Sequence, residues 1–125
     1  MEIIKEQKAK EKEHMEQVNV IDAQEMTDEK VNKVTNIKTD QLGQDTYYFK
    51  AGQILDYHRH PEGDQIFFVH AGEGTYFLDA GTEETTELKP GVIVLAPKNV
   101  WHKIEADSDL TVSQATALPS GMEVR

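Results

Sequence analysis

Short runs of β-branched and aromatic residues recur along the chain from Thr46 onward, and turn-forming residues close each one. The runs fall at 46–49, 54–57, 65–69, 75–78, 85–88, 92–95, 102–105 and 110–113. Between them lie Ala51-Gly52, Pro61-Glu62-Gly63, Gly72-Glu73-Gly74, Ala80-Gly81, Pro90-Gly91, Pro97-Lys98-Asn99 and Asp107-Ser108-Asp109. Strands at roughly 8–12 residue spacing, with a turn signal at each gap, predict an all-β sandwich or barrel. No long helical period separates the runs, which excludes an α/β chain.

Before Thr46 the pattern is weaker. Val18-Asn19-Val20-Ile21 predicts a short first strand. Thr27-Asp28-Glu29-Lys30-Val31-Asn32-Lys33-Val34 carries a capping residue and acidic first-turn positions, and is either a short helix or the approach to a second strand. Residues 1–16 hold five glutamates and four lysines and read as a charged N-terminal extension, a solvated helix or frayed tail supported by Glu–Lys spacing. His14, within it, reads as an exposed side chain. Residues 17–125 form one domain by length, and Leu118-Pro119-Ser120-Gly121-Met122 closes it.

Charge and composition then narrow the function. Thirteen basic residues against twenty-three acidic ones give a net charge of −10, which works against binding a phosphate backbone or an anionic membrane surface. No basic stripe offsets it, so neither nucleic acid nor membrane is expected as a partner. The chain has no cysteine, which removes disulfides, thiolate metal sites and cysteine nucleophiles. It starts with charged residues rather than a signal-peptide core, and no apolar run approaches the ~18 residues of a membrane span. A cytoplasmic protein is expected.

The chemistry concentrates in Gly52-Gln53-Ile54-Leu55-Asp56-Tyr57-His58-Arg59-His60-Pro61. In a strand His58 and His60 share one face and Arg59 takes the other, as a surface or dimer-contact residue. His102, after the turn at Pro97 and Asn99, can start a strand at a barrel mouth and join them around a metal ion. The same alternation assigns Asp56 to the histidine face with Ile54, either as an acceptor orienting an imidazole or a proton handler, or as a polar residue at the mouth. His70 reads as a loop histidine. Tyr48, Phe67, Tyr76, Phe77 and Trp101 read mostly as core or interface aromatics. No nucleophile elbow, P-loop, dinucleotide fingerprint or His-Glu-x-x-His helix occurs.

Two spaced motifs carry a resemblance. Gly52-x5-His58-x-His60-x4-Gln65-x6-Gly72 is similar to the first motif of the cupin superfamily, and Gly91-x5-Pro97-x-Asn99-x2-His102-x3-Ala106 resembles the second. The region covered is about residues 42–115. Three positions depart from the family pattern: Gln65 stands for glutamate, Asn99 for glycine and Ala106 for asparagine. Asparagine tolerates the left-handed turn conformation, so the second departure is mild. The resemblance implies a double-stranded β-helix, or jelly-roll, barrel, often dimeric. It also implies a divalent transition metal (Fe, Mn, Ni, Zn, Co or Cu) held by His58, His60 and His102, with Gln65 in the fourth position. Asp64 is the alternative to Gln65 if a bulge reaims it.

Three functions fit that barrel. One is a metal-dependent enzyme, dioxygenase-like or an isomerase or decarboxylase, acting on a small carbonyl, carboxylate or enolisable substrate. Another is a non-catalytic module that binds or senses a small molecule, with a metal in the barrel. The third is a structural barrel without metal. A homodimer is expected, because outward aromatics such as Tyr57 and Phe68 present apolar surface to cover.

Overall fold

The computed structural model describes residues 15–125, and every regular element in them is a β-strand. Chain order gives β1 (Asn32–Lys38), β2 (Leu42–Phe49), β3 (Ile54–Arg59), β4 (Gln65–Ala71) and β5 (Gly74–Asp79). These are followed by β6 (Glu83–Leu88), β7 (Ile93–Ala96), β8 (Trp101–Ala106), β9 (Leu110–Ala117) and β10 (Glu123–Val124). They form two five-stranded sheets in the orders β1-β2-β9-β4-β7 and β10-β3-β8-β5-β6. All neighbours are antiparallel, and the two sheets enclose the core as a jelly roll.

Alternation along the strands builds that core. In β4 the odd positions Gln65, Phe67 and Val69 are buried while Ile66, Phe68 and His70 are exposed; in β8 His102, Ile104 and Ala106 are the buried set. Register aligns these inner positions into layers. Phe49 pairs with Leu110, and Tyr47 with Val112, which also faces Val69. One step further, Asp45 pairs with Gln114, and then Gly43 pairs with Thr116, which also faces Gln65. The interior is therefore apolar at one end and polar at the other, and the polar end is where chemistry can occur. Each fully buried apolar side chain at the dry end contributes roughly 1.5–3 kcal/mol.

Two turns show why the motif residues are needed. Gly72 has φ +85°, and a Cβ there would stand 1.9 Å from the Asp109 carbonyl oxygen. Only glycine fits. Asn99 has φ +63°, the left-handed conformation that asparagine tolerates in place of glycine.

Several expectations need correction. Residues 18–21 are not a strand: Asn19 Oδ1 accepts from the amides of Ile21 and Asp22, both at 3.0 Å, and holds a turn. The Thr27–Val34 stretch is the approach to a strand and not a helix, since β1 begins at Asn32. The β pattern thus starts before Thr46, with β1 and the polar half of β2. His70 lies in β4 rather than in a loop, pointing outward with Nε2 2.6 Å from Ser113 Oγ. The C-terminal tail adds β10 against β3. The charged extension assigned to residues 1–16, with His14, lies outside the described residues except for Met15 and Glu16, both exposed.

Candidate metal centre

His58 ends the inner face of β3, His60 follows that strand, and His102 is the second residue of β8, paired directly with His58. One ring nitrogen from each lies within 4.8 Å of the others. Ring centroids are 4.2 Å apart for His58 and His102, 5.2 Å for His58 and His60, and 5.8 Å for His60 and His102. Main-chain carbonyls fix the three rings in the same sense. Nδ1–H of His58 donates to the Asp56 carbonyl at 2.9 Å, that of His60 to Gly121 at 2.7 Å, and that of His102 to Val100 at 3.2 Å. With Nδ1 occupied as donor, each imidazole keeps a lone pair on Nε2 for a metal.

Gln65, on the inner face of β4, presents an oriented amide at the same polar end of the barrel. It is 1 % exposed, and its Nε2 donates to Gln114 Oε1 at 3.0 Å and to Thr116 Oγ1 at 2.8 Å. Gln114 in turn donates Nε2 to Asp45 Oδ2 at 2.8 Å. A carboxylate can only accept, so Asp45 fixes the amide of Gln114, and Gln114 fixes that of Gln65. The chain of three leaves Gln65 Oε1 buried with no hydrogen-bond partner, as are Nε2 of His60 and Nε2 of His102. Orphaned buried acceptors are rare and costly, at ~1–3 kcal/mol each. Three at one polar barrel end, all lone-pair donors, fit a divalent transition metal ion.

Burial keeps the imidazoles unprotonated. His102 is pushed down to about 3, chiefly by burial and then by the neighbouring His58. His58 and His60 are also lowered, again chiefly by burial, with the Asp56 and Gly121 carbonyls partly opposing it. Neutral imidazole is the form that ligates metal.

The other sequence-selected residues fall outside this group. Asp64 is exposed, and its Oδ1 accepts from the Lys98 amide at 2.8 Å, so it turns away from the histidines. Asp56 is exposed rather than on the buried face of His58, and lies at the rim of a cavity of about 320 Å³ that His58 and His60 also line, as a polar residue at the mouth would. The register slips by one residue between Leu55 and His58, which face Ile104 and His102. This bulge turns Leu55 inward and leaves Ile54 and Asp56 exposed. The expected acceptor for His58 is the backbone carbonyl of Asp56; its carboxylate accepts instead from the Tyr57 amide at 2.7 Å. Arg59 points outward as expected, paired with Glu123 at 3.0 Å and stacked 4.3 Å over Trp101.

Sequence reading missed Asp45, Gln114, Thr116 and the Gly121 carbonyl. The first three lie on strands that are neighbours in space and distant in sequence. Alternation from Val112 would have brought Gln114 and Thr116 inward. A cavity of about 160 Å³ opens beside His60 and Gln65, also lined by Lys33, Lys38, Asp45 and Thr116. That is below the ~300–1,000 Å³ of drug-sized pockets.

A family profile described as a cupin domain matches residues 45–114. Among solved structures, the chain is similar to an RmlC-like cupin protein from Desulfovibrio desulfuricans, with 27% identity, 83% of this chain and 97% of that one covered, and a TM-score of 0.76. An uncharacterized conserved protein with a double-stranded β-helix domain from Klebsiella pneumoniae matches at 19% identity, 88% and 96% coverage, and a TM-score of 0.79. KdgF from Halomonas sp. matches at 23% identity, 85% and 89% coverage, and a TM-score of 0.65. No curated protein sequence matches the chain.

Proposed function

The chain belongs to the cupin family, and from that premise we propose that it is a metal-dependent enzyme acting on a small organic substrate bearing a carbonyl, carboxylate or enolisable group. The observations that support this are the mutual approach of His58, His60 and His102 nitrogens within 4.8 Å and the buried, unpartnered lone pairs of His60, His102 and Gln65, with His60 and Gln65 lining a small cavity. His58, His60, His102 and the Gln65 oxygen would hold Fe, Mn, Ni, Zn, Co or Cu. Such an ion, when bound, supplies Lewis acidity, or redox chemistry if it is a redox metal, to a ligand oxygen. The chain's own residues do the rest. The Asp56, Val100 and Gly121 carbonyls hold the imidazole tautomers, and Asp45 and Gln114 hold the Gln65 amide. Phe67, 5.7 Å from the His102 ring, walls the site from below.

Elemental analysis of protein purified without an affinity metal tests the site, paired with His102→Ala. Near-stoichiometric metal in the wild type and its loss in a folded variant support the reading. Metal-free wild type from metal-replete medium overturns it.

A non-catalytic binding module is the second reading, favoured by one observation. Both oxygens of Asp45, the carboxylate that lines the cavity, already accept hydrogen bonds, from Thr35 Oγ1 at 2.5 Å and from Gln114, which gives it a positioning role. Product formation from a bound candidate substrate separates the two.

A homodimer also forms part of this proposal, on narrower grounds than expected. Tyr57 is covered by Arg125 and Lys103, at 4.4 and 5.0 Å from its ring. Phe68 stays exposed beside Ile66, Ile93 and Leu95 on the outer face of β4 and β7. A monomeric mass at micromolar concentration would exclude a pairing through that face.

A further inference from the structure

We propose that Lys33 and Lys38 form a carboxylate-binding subsite facing the metal ligands, so that the ligand is a short dianion: one end on the metal, the other on the lysines. This rests on the metal reading above. Strand register brings the two lysines together. On a regular strand Lys33 and Lys38, five residues apart, would point to opposite faces. In β1 they do not. Lys33 pairs with Tyr47, Thr35 with Asp45 and Lys38 with Gly43, and the register slips by one between Thr35 and Ile37. Tyr47, Asp45 and Gly43 are successive inner positions of β2. The single extra residue, Asn36, therefore exchanges Ile37 for Lys38 on the cavity side; bulges reaim side chains in this way.

Three further facts make the lysines available to a ligand. Both are exposed, and neither takes part in a salt bridge among the described residues, although the chain carries twenty-three acidic groups. Asp45, the carboxylate between them on the cavity wall, has both oxygens engaged by Thr35 and Gln114. Gly43, opposite Lys38, carries no side chain, and Leu118 packs against it, its Cδ1 3.4 Å from where a Cβ would stand, so the wall beneath Lys38 is apolar and offers the ammonium no partner. Lys33 and His60 also border a second cavity of about 320 Å³ that reaches His58, so Lys33 stands at the partition between both openings to the histidines. A neutral set of metal ligands and two ammonium groups without an ion-pair partner among the described residues select anions. The cavity of about 160 Å³ beside Gln65 limits them to short ones.

The test titrates succinate into zinc-loaded and metal-free protein by calorimetry, with metal content measured on the same samples. Lys33→Met and Lys38→Met are each expected to weaken succinate about tenfold, the loss of one charge-assisted hydrogen bond. Arginine at either position should restore most of it. Added salt should weaken the wild type more than the double variant, and neutral succinamide should bind far more weakly than succinate. Wild-type affinity in both methionine variants, or succinamide binding as tightly as succinate, overturns the subsite while leaving the metal reading intact. Wild-type protein that takes up no zinc overturns the metal reading. In that case the metal-free titration decides the subsite: lysine-dependent binding supports it, and binding that is absent or lysine-independent overturns it.

Discussion

Replacing Gln65 with glutamate restores the carboxylate of the family pattern, yet here it should destabilise the metal-free protein while tightening its hold on metal. In the wild type the Gln65 amide donates to Gln114 Oε1 and to Thr116 Oγ1. A glutamate keeps the second contact, because the Thr116 hydroxyl can rotate and donate. The first becomes oxygen against oxygen. Gln114 cannot turn over to relieve it, because its Nε2 is already given to Asp45, and turning would set its carbonyl against that carboxylate. The cost is one lost hydrogen bond, ~1 kcal/mol, plus a buried, poorly compensated charge, ~2 kcal/mol. About 3 kcal/mol corresponds to a melting point lower by roughly 12 °C at ~4 °C per kcal/mol for a chain of this size.

Metal offsets about half of that deficit. An anionic oxygen in place of an amide should bind a divalent ion at least about tenfold tighter, and by linkage this adds ~1.4 kcal/mol, or roughly 6 °C, to the metal-induced stabilisation. Thermal melts of chelator-treated and zinc-reloaded Gln65→Glu against wild type measure both effects, with competition against a chromophoric chelator for the affinity. The pH dependence supplies a further check. Burial raises the folded-state pKa of the new acid, so the folded protein binds the extra proton. The deficit is then full above that raised value and shrinks as pH falls toward ~4.3, the unfolded value. A metal-free variant that melts with the wild type would refute the fixed amide chain. An unchanged zinc affinity would refute Gln65 as a ligand.

Asp64→Ala should leave metal content unchanged and cost under ~1 kcal/mol, because its side chain caps the Lys98 loop; metal loss on dialysis would return Asp64 to the site. The metal-free protein should lose stability as pH drops below 6.5, since unfolded histidines bind protons that the buried ones resist. His102 alone, lowered from 6.5 to about 3, accounts for about 2 kcal/mol between pH 7.5 and 5, so denaturant melts of wild type and His102→Gln should converge toward pH 5. Gly72→Ala combines a positive φ with a clash on Asp109, and should cost at least ~3 kcal/mol or abolish soluble expression. A variant with wild-type stability would mean that the turn can move.

How much of this could be read in the chain depended on whether the signal was local. The turn glycines, the strand runs and the paired histidine face are set by neighbours in sequence, and strict spacing extends them to His102. What failed did so at bulges. Alternation counted back from His58 assigns Asp56 inward, and one extra residue after Leu55 reverses that. Alternation counted along β1 separates Lys33 from Lys38, and one extra residue at Asn36 joins them. A single-residue slip flips every later side chain to the other face, and nothing in the composition of either strand announces it. Asp45, Gln114 and Thr116 escaped for a different reason: their relation to Gln65 is register across three strands, β2, β9 and β4. Residues 18–21, apolar enough to suggest a strand, were captured by the Asn19 side chain.

Those bulges and that register place charge in a particular order. In a cupin with a glutamate ligand, the negative charge sits on the metal. Here the carboxylate Asp45 stands two amides back from the proposed ligand oxygen, where it orients Gln114. Hydrogen bonding transmits direction through the two amides with little of the charge, so an ion held by Gln65 and the three histidines has no anionic ligand. Lys33 and Lys38 add to its field from the opposite wall. The arrangement weakens the grip on the ion and strengthens the grip on an anion. Ligand and metal should then bind cooperatively: a dianion bridging metal and lysines closes a site that the neutral donors alone hold loosely. Zinc retention on dialysis should rise in the presence of succinate, and by reciprocity zinc should raise succinate affinity by the same factor. Independent binding of the two would separate the lysine wall from the metal and dissolve the argument that the missing carboxylate and the extra residue in β1 belong to one design.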